Sequence, residues 1–469
     1  MERVKGREYG DLGVELLELK KEEDKVILKF NNQEIEITDK EFIEAIQKPP
    51  PDEDDEKQQT QKSKYLGLHL DENNKLKAHW FVGLLKLNGK INGNDEEVIF
   101  LIEPKINLSF SRMFLEVMKN PYAGAHFKRG EDWDIITGEI IRLEEDFSDF
   151  MIFVILYYMD TLYKLLHRGL QRGYKKHMEN LRGRIRGRVL VGATAVENWP
   201  RGKKHYAYCE YNEWTEDILE NRILKAAFLK GIGFLKRHNI ELGEKIRYIS
   251  LSFEMVSTTR IYPQDFRITN VQRIRRDYKE ALKVAEIILR HLGYDPEVET
   301  QEKKINTVMP HWINMNELFE RYVEVKIRNG EIFKDFKDYD VYPGYKDRNI
   351  EIKIETKVWK LRPDFVLVKK DRSEYIIADA KYKDVYNTGW DKEDLAQLSL
   401  YGRIKGEEIE KWIKEKFHEN VEIKNRDKEP KVYIIYPLTK NDKGCKEREE
   451  ATSFRDIYKI CVKVQTKNS

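Results

Sequence analysis

Cysteine is scarce in this 469-residue chain: only Cys209, Cys445 and Cys461 occur. They form no CxxC pair and no metal-finger spacing, which excludes a disulfide-built scaffold or a zinc ribbon and leads us to expect a reducing, cytoplasmic setting. Net charge is scarce too, because 85 Lys and Arg stand against 83 Asp and Glu, leaving +2. That balance excludes a uniformly basic binder but not a concentrated basic face. No apolar run is long enough to cross a bilayer, which takes roughly 20 residues. The longest, FMIFVILYYM at 150–159, is flanked by charges and reads as a buried core helix. The N-terminus, MERVKGREYG, carries no apolar signal-peptide core. The ten histidines show no HxH or HExxH spacing, so zinc catalysis is not expected.

A phosphate loop is missing as well. Gly83, Gly89 and Lys90 come nearest, but five residues separate the glycines instead of four and Ile91 follows the lysine. The chain is therefore not expected to hydrolyse nucleotide by itself.

What is present is charge of both signs, 36% of residues, on a chain that is 40% hydrophobic and 11% aromatic, a folded rather than a disordered composition. Its length suggests about three domains. We expect an α+β multidomain protein. Residues 1–140 should form a β-rich domain, interrupted by a Pro- and acid-rich loop at 48–64 and carrying a turn-rich hairpin tip at Asn88–Asp95. Residues 141–305 should be mainly helical, since apolar residues recur there at three- and four-residue spacing, as in ILENRILKAAFLKGIGFL. Residues 306–469 should form an α/β domain with a mixed central sheet flanked by helices.

Within the middle part, residues 160–205 hold twelve Lys or Arg against three acids, a local balance of +9. The segment RGRIRGR places Arg182, Arg184, Arg186 and Arg188 at alternate positions, so an extended strand would project all four from one face. Such a row suits phosphate oxygens of DNA; a solvated strand face or a partner-binding surface is the other reading.

The last third carries the chemistry. Arg362-Pro363-Asp364 leads into the apolar run FVLV, a polar turn follows, and then comes YIIADAK. Asp379 and Lys381 are two apart on an expected strand and so share a face, and a hairpin between the two apolar runs would bring Asp364 near Asp379. Two carboxylates are hard oxygen ligands suited to Mg²⁺, a metal-bound water becomes a nucleophile at neutral pH, and a lysine beside it stabilises charge on a phosphoryl group. A salt-bridged surface hairpin is the plainer alternative. A following helix puts Gln397 and Tyr401 at i and i+4 on one face. A preceding one, NELFERYVEVKI, offers Glu317 or Glu320 as a further acid, and VYIIYPL at 432–438 supplies another core strand.

The segments RPDFVLV, YIIADAKYK and QLSLY resemble the PD-(D/E)xK nuclease core with its trailing QxxxY helix. More narrowly, the chain resembles the McrC family, nuclease subunits of McrBC-type modification-dependent restriction systems; LIEPKI at Leu101, YNEWTEDILENRILKAAF at Tyr211 and NELFERY at Asn316 carry that likeness. The resemblance implies a Mg²⁺-dependent endonuclease, with Mn²⁺ as a substitute, in which Asp364 and Asp379 bind the metal and Lys381 is the catalytic lysine. Glu320, in the LFE segment, would be the upstream acid, with Glu317 the other choice. Gln397 and Tyr401 would line the site or steady DNA, or simply pack their helix. It also implies a McrB-like AAA+ GTPase hexamer as partner, docked on the β-rich N-terminal domain. The substrate would be double-stranded DNA carrying modified bases, and two nuclease subunits could pair within the assembly. A self-sufficient RecB-like repair nuclease and a non-catalytic motor adaptor are the rival readings.

Overall fold

The computed structural model describes residues 2–7, 11–20, 25–31, 33–47, 65, 67–91, 93–106, 108, 110–136, 141–142, 148–237, 243–268, 275–296, 307–332, 338–345, 348–354, 357–384, 389–438, 449–451 and 456–464. The 48–64 loop lies outside them. By contacts the chain forms two compact units, Met1–Ile141 together with Met309–Ser469, and Arg142–Val308.

In the first unit, a mixed sheet grows from a set of hairpins. Lys25–Phe30 pairs with Gln33–Ile37, and Phe81–Ile91 pairs with Asn94–Glu103, while Glu2–Arg7 adds in parallel to the last of these. Alternation of apolar residues puts Val26, Leu28, Ile35 and Ile37 on one buried face, which the helix Lys40–Gln47 covers with Phe42, Ile43 and Ile46. The expected hairpin tip lies at Asn88–Asp95, where Phe81–Ile91 turns back into Asn94–Glu103. It is a tight hairpin end with Gly93 at φ +82°, and Gly89–Ile91 pairs again with Ile35–Ile37.

The chain returns to this sheet after the second unit. The strand His311–Asn314 runs antiparallel between Phe81–Ile91 and Trp133–Ile135. Its approach is so close that a Cβ on Gly83 would lie 2.0 Å from the His311 carbonyl oxygen. This pairing explains why 1–140 and 306–469, separate in the sequence reading, fall in one unit.

A second sheet follows, in the order Tyr339–Pro343, Phe365–Lys369, Tyr375–Ala380, Lys431–Leu438, Ile457–Lys463 and Glu449–Glu450. Its central strands are parallel and apolar on both faces, as sheets buried on two sides require. The segment 351–359, EIKIETKVW, alternates like one strand in the sequence but contributes to a separate two-stranded ribbon, Ile350–Ile354 with Lys357–Leu361. Lys357 to Lys360 is exposed along its whole length, so it has no face to bury, and the edge position next to Phe365–Lys369 is taken by Tyr339–Pro343.

The second unit packs the helices Ser148–His167, Leu219–Arg237 and Arg276–Leu292. The greasy run is indeed a core helix: Met151 to Met159 is buried throughout, and the Tyr158 hydroxyl donates to the Leu224 carbonyl at 2.8 Å. Among the described residues no helix is long and apolar enough to cross a membrane. A three-stranded sheet completes the unit, Gly173–Arg182 and Arg188–Val189 flanking Tyr206–Thr215.

Two expectations are corrected here. RGRIRGR is not one extended strand, because Gly183 and Gly187 adopt φ of +65° and +70° and break it. Arg182 ends one strand, Arg188 begins another, and Arg184 and Arg186 lie on the exposed loop between, Arg186 stacking 4.1 Å from the Tyr211 ring centre. The cysteines are not all free either: Cys209 is free and buried, whereas Cys461 is disulfide-bonded.

Candidate active site

Strand pairing builds the site. Phe365 lies opposite Ala378 as the last pair of the antiparallel ladder, so Asp364 and Asp379 lie one step beyond it, just before Phe365–Lys369 begins and near the end of Tyr375–Ala380. The Ala380 N–H donates to Asp364 Oδ2 at 2.6 Å and fixes that carboxylate. The loop before it is held by Gly344, whose N–H donates to the Asp364 carbonyl at 2.8 Å. A Cβ there would sit 1.9 Å from the Pro363 oxygen, so only glycine fits.

Lys381 follows the strand end, its N–H bonded to the Ile435 carbonyl of the neighbouring parallel strand at 2.8 Å. Its Nζ lies 2.9 Å from Asp379 Oδ2 and donates to Gln397 Oε1, also at 2.9 Å. Gln397 Nε2 donates to the Tyr401 hydroxyl at 2.8 Å, and that hydroxyl donates to the Arg362 carbonyl at 2.8 Å. Gln397 and Tyr401 sit one turn apart on the helix Lys392–Tyr401, started by the Asp391 side chain, which accepts from the N–H groups of Glu393 and Asp394. Tyr401 is buried and does not line the cavity; it acts behind Gln397.

An open cavity of about 730 Å³ lies at this end of the strands, within the range of ligand-binding clefts, with Asp379 buried beneath its lining. Asp364, Lys381, Gln397, Glu317 and Glu320 line it. The two glutamates come from the helix Met315–Arg328, whose first turn is capped by Asn314 Oδ1. Both are ion-paired to the buried Arg321, at 3.1 Å from Glu317 and 2.8 Å from Glu320.

The electrostatics follow from burial and like charge. Burial, then the neighbouring Asp379, push Asp364 up to about 7, against Lys381 and the Ala380 N–H. Burial likewise holds Glu320 well above the usual carboxylate range, against Arg321 and with Asp364 adding to the rise. Lys381 is kept charged: burial opposes this, but Asp379, Asp364 and Asp394 outweigh it.

Among the described residues no group of three or more His, Cys, Asp or Glu side chains is gathered as a metal cage. The donor set that does converge is a pair, Asp364 and Asp379. Asp379 Oδ2 is buried and, although in ion-pair range of Lys381, receives no well-directed hydrogen bond. A pair of carboxylates with one oxygen so placed fits Mg²⁺, which keeps several waters and needs only one or two carboxylates from protein.

The structure adds residues that the sequence reading did not single out. Asp394 is buried on the same helix and takes Lys383 Nζ at 2.8 Å and Lys381 Nζ at 3.7 Å. Its spacing, i and i+3 with Gln397, is a signal the sequence does hold. Trp80 and Lys105 also line the cavity, from the N-terminal sheet. No local pattern could have placed them beside Asp364.

The family model for the McrBC 5-methylcytosine restriction system component matches residues 76–413. Among solved structures, the chain is similar to one in a refined half-complex from a tetradecameric assembly of Thermococcus gammatolerans McrB AAA+ hexamers with bound McrC, at 17% identity and a TM-score of 0.37, covering 98% of this chain and 94% of that one. It is also similar to a chain of the cryo-EM structure of the Thermococcus gammatolerans McrBC complex, at 18% identity and a TM-score of 0.27, covering 59% and 74%. A search of the curated proteins finds no match. With the family model spanning well over half of its residues, the chain belongs to the McrBC 5-methylcytosine restriction system component family.

Proposed function

We propose that this chain is the DNA-cleaving subunit of a McrBC-type restriction complex, and that it hydrolyses phosphodiester bonds in the cavity over Asp364, Asp379 and Lys381. The observation that carries this reading is the meeting of the two aspartates just beyond the last pair of the ladder, Phe365 with Ala378, where the Ala380 N–H holds Asp364 and Lys381 Nζ lies 2.9 Å from Asp379. In this reading the second sheet with its flanking helices is a PD-(D/E)xK core.

Asp364 and Asp379 would hold Mg²⁺ or Mn²⁺, which lowers the pKa of a bound water and offsets charge on the phosphate. Lys381, kept cationic by three aspartates and aimed by Gln397, donates to a phosphate oxygen as negative charge develops there. Glu320 stands as a further acid, held off by Arg321. The loop bearing Arg184 and Arg186, with Arg182 and Arg188 at its ends, contacts DNA phosphates. The motor partner is a McrB-like AAA+ GTPase hexamer, which selects double-stranded DNA with modified bases, and two of these subunits pair to cut both strands.

The test is cleavage of modified plasmid DNA by the chain reconstituted with such a GTPase, with and without Mg²⁺. Asp379→Ala should abolish cutting and leave stimulation of the GTPase intact. Robust Mg²⁺-dependent cutting by that variant would sink the site assignment. Cutting by the purified chain without partner or GTP would favour a RecB-like repair nuclease, and no cutting by the intact complex would favour a non-catalytic adaptor.

A further inference from the structure

We propose that the N-terminal sheet supplies one wall of the cleavage site, and that Lys105 on this wall binds a phosphate of the DNA strand adjacent to the one being cut. This rests on the nuclease reading above and assigns a role to the LIEPKI segment.

The placement is fixed by sheet pairing. The strand Asn94–Glu103 is gripped on both sides, by Glu2–Arg7 in parallel and by Phe81–Ile91 antiparallel, up to its last residues. Pro104 restricts the next step, and Ile106 is buried, so Lys105 is held between two anchored positions. From there it reaches the cavity that Asp364 and Lys381 line. Its Nζ lies 4.7 Å from the ring centre of Tyr382, the residue next to Lys381, and Tyr382 is itself buried. An aromatic face steadies an ammonium without removing its charge. Trp80 lines the same wall, and its buried indole N–H finds no acceptor among the described residues.

The chemistry asks for such a cation. Asp384, Asp391, Glu393 and Asp394 line the cavity beside Arg362, Lys381 and Lys383, so a polyanion is held there only where a metal or a basic group offsets the acids. A DNA strand carries a phosphate at every nucleotide, so a strand seated with one phosphate at Lys381 brings its neighbours against the cavity walls. Lysine serves such a contact as a point charge.

The experiment uses the full chain with Ca²⁺ replacing Mg²⁺, so that a fluorescein-labelled DNA duplex is bound but not cut, and follows anisotropy across a KCl series. Lys105→Ala should weaken binding about tenfold and lower the salt slope by about one phosphate contact. Lys105→Gln, which retains most of the stem, should do the same, and Lys105→Arg should restore both. In the reconstituted complex the alanine variant should raise KM for DNA more than it lowers kcat. Unchanged affinity and slope in both neutral variants, beside a wild-type reconstituted complex that cuts normally, would overturn the Lys105 assignment alone. A wild-type reconstituted complex that neither binds nor cuts DNA would overturn the nuclease reading and this one with it.

Discussion

Gln397 accepts a hydrogen bond from Lys381 Nζ and donates one to the Tyr401 hydroxyl, so the lysine is aimed by a relay that ends on the Arg362 carbonyl, two residues before Asp364. The relay ties both sides of the site to one helix. Gln397→Leu should therefore slow single-turnover cleavage by about tenfold, the worth of one charge-assisted hydrogen bond, while DNA affinity stays near wild type. Tyr401→Phe should have a smaller effect in the same direction. A wild-type rate in Gln397→Leu would show that Lys381 is aimed by its aspartates alone.

Gly344→Ala places a methyl where the Pro363 oxygen already stands. The backbone on one side must move, and the residue after Pro363 is Asp364. We expect a destabilisation of about 1–3 kcal/mol, read in a denaturant titration, and a loss of cleavage larger than the loss of folded protein explains. Unimpaired cleavage would mean that the Asp364 loop tolerates the shift.

Arg321 is buried among Glu317, Glu320 and the fully buried Glu324 and stacks 4.3 Å from the Tyr345 ring centre. Removing it by Arg321→Met strands those acids without their cation. The expected cost is about 3–5 kcal/mol of stability, and pairing it with Glu324→Gln should recover part of that. A double variant no more stable than the single would mean that Glu324 is held by its other partners, Arg328 and Tyr345.

His311 gives the fold a pH dependence. Burial lowers it to about 4, although its ring bonds the Met309 carbonyl. Between pH 4 and 6.5 the unfolded chain binds a proton that the folded chain does not, so stability rises with pH through that window and is lost as pH falls. The contribution is about 3 kcal/mol at most. Comparing wild type with His311→Gln by urea denaturation at pH 4.5 and 7.5 should show the difference shrinking in the variant.

Much of the site could be read from the sequence because it is local. Asp364, Asp379 and Lys381 lie on two consecutive strands, where alternation and a short turn dictate who faces whom, and Gln397 and Tyr401 follow from helical spacing. What could not be read is non-local. Nothing in DVYP says that it, and not the more strongly alternating EIKIETKVW, joins Phe365–Lys369, since both bury apolar residues in the same core, Tyr342 from one and Ile352 from the other. Alternate arginines looked like a strand face, yet the two interleaved glycines decide the backbone. The fully buried position of Glu324 and the cavity-lining positions of Trp80 and Lys105 depend on packing between segments more than a hundred residues apart or on the far side of the fold.

The pairing of His311–Asn314 beside Trp133–Ile135 has one more consequence. The Ile136 N–H bonds the Pro310 carbonyl at 2.8 Å, so within the first unit the chain leaves and re-enters through neighbouring strands. Arg142–Val308 is thus inserted in sequence between two residues, Ile136 and Pro310, that are hydrogen-bonded neighbours in the first unit. Such a junction is indifferent to the length of what it carries. Evolution could lengthen, shorten or exchange the inserted unit while the returning strand, and through Asn314 the helix that bears Glu317 and Glu320, stayed in register with Phe81–Ile91.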